Sequence, residues 1–292
     1  ISSGMMAEEG GEEEKGEGQQ NDSLAASNDP HQRGYYLTDL PFKPDNTLCV
    51  EVRWNDPRSL PTAFRTASAK ESEVARKHPF AWNPEFGYVT SRPRILGTGL
   101  LIGGLFHLEG LHLIGDLPPV LAGLEALRLA VREFNGDGLK NAAHLYRVHN
   151  ASMLGVSEQQ LFDRVVNAFA ALVRQELNAR IRLVEELPRV FEDAVCRSLA
   201  ILRECKLLSE WEFLDVLSPV RLAAEMGFLA GLTRDEANAF TVERLDLPDV
   251  PRPKTFEEEL ERDKRDAAFA DRVNRRFRDV RLNPRAKGIF KS

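Results

Sequence analysis

Cysteine is scarce: Cys49, Cys196 and Cys205 are odd in number, and none stands at a Cys-x-x-Cys spacing. That excludes a disulfide framework and a thiolate zinc site, and suits reduced cysteines of an intracellular compartment. The six histidines are scattered. His107 and His112 are near enough to share a strand or loop but lack a third ligand, so no metal is expected. No run approaches the roughly 20 apolar residues that span a bilayer, which excludes membrane insertion by a helix. The opening Ile1-Ser2-Ser3-Gly4-Met5-Met6 lacks the basic-then-apolar pattern of a secretory signal, and a chain starting with Ile is either a processed form or carries added residues. Aromatic residues suited to stacking on bases are few, and the basic residues are interleaved with acids, so nucleic acid is not an expected partner. No internal repeat is visible.

What is present is an ordinary globular composition. Of 292 residues, 42% are hydrophobic and 29% charged, enough for one large domain or two modest ones. The net charge of −6 conceals a segregation. Residues 1–30 hold eight acids against Lys15, a net −7, whereas residues 262–292 hold eleven Lys and Arg against four Asp, a net +7. Such blocks point to tails and partner contacts. Residues 1–34 carry too little apolar surface to offset ordering entropy and are expected to be disordered unless a partner holds them. Residues 35–46, with Pro41 and Pro44, read as an extended lead-in.

Folded structure is expected from Leu48-Cys49-Val50-Glu51-Val52, a partly alternating strand. Residues 62–78 predict a helix. Gly87 to Leu113 reads as two strands joined by a turn at Gly97-Thr98-Gly99. Pro118-Pro119 starts a helix through Arg132, with Val120, Leu121, Leu124, Leu127 and Val131 along one side. Asn135-Gly136-Asp137-Gly138 is a loop and Leu145-Tyr146-Arg147-Val148 a strand. Ser157 and Gln160 form a capping box for a long helix with apolar residues from Leu161 to Ile181 at spacings of three and four. Shorter helices are expected near 189–204, 209–216 and 218–227. Thr255 with Glu258 caps a last helix, whose stripe Phe269, Val273, Phe277 and Val280 suits docking within the chain and a partner surface equally.

The run Phe80-Ala-Trp-Asn-Pro-Glu-Phe-Gly-Tyr-Val-Thr-Ser-Arg-Pro-Arg-Ile-Leu-Gly-Thr-Gly-Leu100 resembles the stretch of the ATP:guanidino phosphotransferases (guanido kinases) in which an aromatic-x-x-x-x-Gly-Tyr strand leads to Cys-Pro-x-Asn-x-Gly-Thr-Gly-Leu-Arg-Ala. Further matches follow in register. Leu127–Arg132 resembles the helix ending in a nucleotide-binding arginine, Phe134–Gly138 the mobile Gly-rich loop, Val148-His149-Asn150 the Ile-Ser-Asn closing the next strand, and Leu154-Gly155 with Ser157-Glu158 the start of the long helix. Glu192-Asp193, Arg197-Ser198-Leu199 and Leu217–Leu222 resemble the extra helical domain of the bacterial protein-arginine kinases. The similarity covers about residues 47–245. It implies an α+β fold with a guanidino-kinase-like (glutamine-synthetase-like) antiparallel sheet and packed helices, followed by an all-α region. The implied divisions are a tail and lead-in (1–46), a catalytic-fold domain truncated at its start (47–187), a helical domain (188–250) and a basic amphipathic helix with its tail (251–292).

In that family, transfer of a phosphoryl group from ATP to a guanidinium requires an arginine cluster, a carboxylate that takes the guanidinium proton and a cysteine thiolate. By the same resemblance these groups are largely replaced. The Ser-x-Arg-x-Arg strand has no counterpart. Asn55 falls where the carboxylate belongs and Pro57 where a histidine belongs, and an amide cannot accept the proton. Arg92 falls at the cysteine, a cation that would repel the acceptor, and Leu101 replaces the arginine of Gly-Thr-Gly-Leu-Arg. Arg132 is retained and Asp137 stands for the loop glutamate. Each lost charge-assisted contact removes about 1.5–3 kcal/mol, so ATP affinity falls by orders of magnitude. Arg132 also suits a solvated helix end, and Gly97 and Gly99 suit backbone geometry alone. Arg265-Asp266-Ala267-Ala268-Phe269-Ala270 resembles the Arg-Asp-x-x-Arg-Ala motif that helps bind phosphoarginine, with the second Arg lost.

The first expectation is a catalytically inactive structural or scaffold subunit, gripped through its acidic N-terminal tail and basic C-terminal helix, with no cofactor. An active kinase for protein arginine or a small guanidino compound, requiring ATP and Mg, is the alternative. A regulatory module binding nucleotide or phosphoarginine through Arg132, Arg92 and Arg94 without turnover is the third reading. The compartment expected is a bacterial cytoplasm or a eukaryotic mitochondrion.

Overall fold

The structure, a computed structural model, describes residues 2–4, 47–49, 52, 57–77, 80–89, 96–134, 142–245 and 254–283. The chain divides into two compact units. One comprises residues 1–105, 124–131 and 147–170, the other residues 106–123, 132–146 and 171–292.

In the first unit, β1 (Ser2–Gly4) pairs antiparallel with β2 (Thr47–Cys49). A 3₁₀ turn, Pro57–Ser59, leads into α1 (Leu60–Lys77), the helix expected over 62–78. Leu60 and Ala67 are buried, and the Phe64 ring stacks on Phe162 at 4.5 Å. The hairpin of β3 (Trp82–Asn83) and β4 (Gly87–Tyr88) turns on Asn83, whose Oδ1 accepts the N–H groups of Glu85 and Phe86.

Three longer strands, β5 (Gly103–His107), β6 (Leu129–Glu133) and β7 (Leu145–Asn150), form a sheet in the order β5-β7-β6. Main-chain bonds from Asn150 to Ile102 and from Leu108 to His144 bracket the first pair, and those from Ala151 to Arg128 and Phe134 to Leu145 bracket the second. In each pair one partner number rises as the other falls, so both pairs are antiparallel. Every residue of β5 is buried.

Two local expectations are corrected here. Residues 109–114 are not strand but α2 (Glu109–Ile114), closed by Gly115 at φ +82° with the Asp116 N–H bonded back to Leu111. The helix from Pro118 does not reach Arg132. It is α3 (Leu117–Ala126), which tightens through Leu127 N–H to Leu124 O and Arg128 N–H to Glu125 O and then leaves the helical path at Arg128, φ +61°. Residues 129–133 are strand because β7 supplies their pairing and burial takes Leu129 to 2% exposure, a non-local gain that periodicity does not display.

The long helix α4 (Glu158–Glu186) starts at the expected box: Ser157 N–H donates to Gln160 Oε1 and Gln160 N–H to Ser157 Oγ. The second unit then adds α5 (Pro188–Glu204), α6 (Glu210–Glu225), α7 (Arg234–Leu245) and α8 (Phe256–Phe277), with a two-stranded β8 (Leu229–Ala230) and β9 (Arg281–Leu282). The helices expected at 209–216 and 218–227 are one, because α6 runs through Pro219. Burial of Phe213, Leu214, Leu217 and Val220 on both sides outweighs the roughly 3 kcal/mol of an interior proline. Sequence reading missed α7, whose start is nevertheless written in a reciprocal Thr233–Glu236 cap.

The stripe on α8 docks within the chain. Phe269, Val273, Phe277 and Val280 share one core with Phe191, Val195, Leu199 and Leu202 of α5 and Phe213 and Leu217 of α6. Phe213 meets the rings of Phe240, Phe269 and Phe277 edge-on. Thr255 caps α8, accepting the Glu258 N–H, as expected. None of the described helices is long and apolar enough to cross a membrane.

Candidate functional site

Asn55, Arg92, Arg94 and Asp137 lie outside the described residues. The frame around the Gly-Thr-Gly turn is described, and it is built from backbone. Tyr88 N–H donates to Gly97 O at 2.8 Å, and Thr98 N–H to Met153 O at 3.2 Å. Gly97 has φ +116°, and a Cβ there would lie 2.3 Å from Met153 O. One on Gly87 would lie 2.6 Å from Gly97 O. Both glycines are required by close approach of three segments, whatever the chemistry.

Leu101 follows this turn, half-buried, and Asn150 fixes its neighbours. The buried Asn150 side chain accepts the Ile102 N–H at 2.7 Å and donates to Leu100 O at 3.1 Å. The backbone that presents residue 101 is therefore pinned on both sides, while residue 101 itself offers no charge. Arg132 is exposed on β6, beside the exposed Glu133. Arg265 is exposed on α8 and Asp266 half-buried; burial pushes the Asp266 carboxyl up, opposed by Arg262 and Arg265.

A groove of about 460 Å³ opens further along α8, lined by Arg203, Glu204, Asp271, Asn274, Arg275 and Arg278. Arg203 spends its guanidinium on the carbonyls of Phe277 and Val280, capping the end of α8. Asn274 and Cys205 exchange Nδ2–H to O at 2.9 Å and Sγ–H to Oδ1 at 3.5 Å. The groove carries three cations against two carboxylates, and it does not include Arg265 or Asp266.

A buried polar cluster among the described residues was not singled out in the sequence. Glu176 sits on the core-facing side of α4, in series with Leu172, Ala179 and Leu183, and accepts the N–H groups of Gly110 and Leu111 at 3.0 Å each. Arg180 bridges Glu176 at 2.7 Å and Glu225 at 2.8 Å. Arg221 meets Glu225 at 3.1 Å and Asn238 Oδ1 at 3.0 Å. Burial pushes Glu176 upward although Arg180 and two N–H groups favour its charged form. The legible signal was an acid on an apolar stripe.

Beside this network, Ser218 Oγ lies 2.5 Å from Glu109 Oε2, 2.8 Å from His107 Nε2 and 3.1 Å from Ala143 O. Burial drives Glu109 to about 8, so near neutral pH its carboxyl keeps its proton. Burial lowers His107, further disfavoured by Arg221 and Arg180, and takes His144 to about 4. His144 stacks on His112 at 3.6 Å between centroids. Serine, histidine and glutamate are the residue types of a nucleophilic triad, but Ser218 is 1% exposed and enclosed by protein, which makes the cluster a structural tie between α2 and α6. Among the described residues, no group of three metal-ligating side chains converges.

Residues 55–179 match the family model of the ATP:guanido phosphotransferase C-terminal catalytic domain, and residues 188–287 that of the protein-arginine kinase McsB C-terminal domain. The chain is similar to the protein-arginine kinase of Moorella thermoacetica, 34% identical over 183 residues, 63% of this chain and 52% of that protein. The protein-arginine kinase of Bacillus velezensis is 31% identical over 183 residues and covered to 50%. The chain thus spans about half the length of the curated relatives it matches. Among solved structures, lombricine kinase aligns over 43% of this chain and 34% of its own at 22% identity and TM-score 0.37. The Schistosoma mansoni duplicated taurocyamine kinase with transition state analog components aligns over 46% and 18%, at 19% identity and TM-score 0.39.

Proposed function

We propose that this chain, whose residues 55–179 match the ATP:guanido phosphotransferase catalytic-domain model, no longer transfers phosphate and serves as a structural subunit of a larger assembly. The observation that carries the reading is the pinned backbone at Leu101. Asn150 holds the backbone of Leu100 and Ile102 between the glycine turn and β5, and the position that the family resemblance assigns to a phosphate-binding arginine carries an aliphatic side chain. The resemblance also gives Asn55 and Arg92 at the proton acceptor and thiolate positions. On that resemblance, a cation at the thiolate position repels a guanidinium acceptor and an aliphatic residue 101 removes a phosphate contact, so transfer loses electrostatic stabilisation. The partners of such a subunit are proteins, reached through the acidic residues 1–30 and the exposed arginines of α8.

Incubation of the purified chain with labelled ATP, Mg and an arginine-rich protein tests this, with a protein-arginine kinase run alongside. The expected result is no acid-labile phosphate on the acceptor. Transfer above background overturns the reading.

A second reading is an active phosphotransferase acting on protein arginine, with ATP and Mg as co-substrate. The curated relatives, named protein-arginine kinases, favour it. Thermal unfolding with ATP–Mg or phosphoarginine separates the two readings from a third, a ligand-binding regulator without turnover. A flat response leaves the structural subunit, stabilisation without transfer supports the regulator, and transfer supports the kinase.

A further inference from the structure

A short turn, Ala142–His144, immediately precedes β7. Ala143 stands at φ +63° and His144 at φ +48°, so two consecutive residues with a Cβ occupy the left-handed region that favours glycine. Such a backbone persists only where its surroundings hold it. Leu108 N–H donates to His144 O at 3.0 Å, and Ala143 N–H donates to Asp215 Oδ1 at 2.6 Å. Ala143 O accepts from Ser218 Oγ at 3.1 Å.

That last bond is decided by a count of protons. Ser218 has one hydroxyl proton and three polar neighbours within reach, Ala143 O, Glu109 Oε2 and His107 Nε2. His107 Nδ1 is buried without a partner. The ring proton therefore belongs on Nε2 and is donated to Ser218 Oγ, which leaves a lone pair orphaned and not an N–H. With a proton of its own, Glu109 also donates to Ser218 Oγ, and the serine proton goes to Ala143 O. Every donor is then used. Without that proton, the carboxylate at 2.5 Å accepts the serine hydroxyl, because a charged acceptor outcompetes a carbonyl at 3.1 Å. Ala143 O is left without its donor.

We propose that the Glu109 proton is a latch on the turn at residues 142–144. Present, it keeps the Ser218 hydroxyl on Ala143 O; lost, it turns that hydroxyl to the carboxylate and lets the left-handed turn open. The groups around Glu109 set where this happens. Burial carries it to about 8, Glu176 of α4 and Asp215 of α6 push the same way, and Ser218 and Arg180 oppose. His144 Nε2 lies 3.7 Å from the same carboxyl oxygen, and the His112 ring of α2 stacks on His144 at 3.6 Å. Burial and His112 lower His144 to about 4, and burial with Arg221 and Arg180 lowers His107. A proton leaving Glu109 therefore passes to solvent and not to either imidazole. Since the buried carboxyl holds its proton more tightly than an exposed one, the latch is closed at low pH and opens as pH rises. It operates whether or not the chain transfers phosphate.

Amide-resolved hydrogen exchange on the full chain, corrected for the intrinsic rate at each pH, tests this from about pH 6 to about pH 9. The opening ratio at Ala143 N–H and Leu108 N–H is expected to rise with pH, by at most about tenfold per unit, and then to level off. Val273 and Phe277, in the core of α8, keep their protection over that range. In Glu109→Gln the side-chain amide donates to Ser218 Oγ at every pH, and both reporters stay slow throughout. In Ser218→Ala, with its fold checked by circular dichroism, the turn is open already at the acid end, with little further rise. A wild type with flat corrected ratios overturns the proposal. So does a Glu109→Gln variant with the wild-type rise, or loss of protection at Val273 and Phe277 in step with Ala143.

Discussion

Asn150 and Ile102 exchange two hydrogen bonds across 48 residues of sequence: the Ile102 N–H donates to Asn150 Oδ1 at 2.7 Å, and the Asn150 N–H donates to Ile102 O at 3.2 Å. With the Asn150 Nδ2–H bond to Leu100 O, one amide side chain ties down the segment between the glycine turn and β5. Asn150→Ala leaves a buried donor and a buried acceptor unmatched and is expected to destabilise the chain by about 2–4 kcal/mol. Asn150→Asp keeps the acceptor, loses the donor and adds a buried charge, so it is expected to cost at least as much. Urea unfolding at constant pH measures both.

Gly97 and Gly123 make opposite predictions for the same substitution. Gly97→Ala drives a Cβ to 2.3 Å from Met153 O at φ +116° and is expected to cost about 2 kcal/mol or more. Gly123 lies inside α3, and a Cβ there meets nothing within 4 Å, so Gly123→Ala is expected to stabilise by about 0.5–1 kcal/mol. Paired thermal melts decide this.

The buried carboxyl Glu109 makes stability depend on pH in a defined direction. Its value rises from 4.5 when exposed to about 8 in the fold, so between those limits the unfolded chain has released a proton that the folded chain keeps. The contribution is fully present below pH 4.5, declines as pH rises to 8 by at most about 1.4 kcal/mol per pH unit, and is then lost. His144 works on the acid side. Its value falls from 6.5 to about 4, so its contribution is present above 6.5 and lost as pH falls toward 4. Glu109→Gln keeps a neutral side chain of similar shape and is expected to gain on the wild type steadily from pH 5 to pH 8, leaving the acid limb unchanged. Denaturant titrations across that range read the difference; a constant offset rejects the assignment.

Arg180 and Arg182 stand two residues apart on α4 and differ in consequence. Arg180→Met takes the ion-pair partner from buried Glu176 and leaves Glu225 with Arg221, and a loss of about 3–5 kcal/mol is expected. Arg182 pairs with Asp116 and Glu186 in solvent, and Arg182→Ala is expected to leave stability nearly unchanged. The same unfolding assay compares them.

Local chemistry was legible where it is written locally. The Ser157–Gln160 and Thr255–Glu258 boxes announce their helices, and the spacing of Leu161, Val165, Phe169 and Leu172 gives α4 because all four positions are buried on one face. The order of motifs from Phe80 to Ser157 carried the resemblance, and the catalytic-domain model matches residues 55–179. Residues 129–133 could not be read from periodicity, since their strand state rests on pairing with β7 after the turn at Arg128. Pro219 misled for the same reason, its local cost being outweighed by a core assembled from α5, α6 and α8.

The sequence by itself determined the caps, the face of α4 and the absence of charge at Leu101, since each depends only on residue type and spacing along one element. The tertiary structure decided which polar groups are stranded together. Glu109, Ser218 and His107 are up to 111 residues apart, Glu176 reaches the Gly110 and Leu111 N–H groups only when α2 packs on α4, and Arg180 meets Glu225, itself paired with Arg221, only when α4 and α6 pack. Burial sets the protonation state of such groups, and burial belongs to the packed elements and not to any one segment.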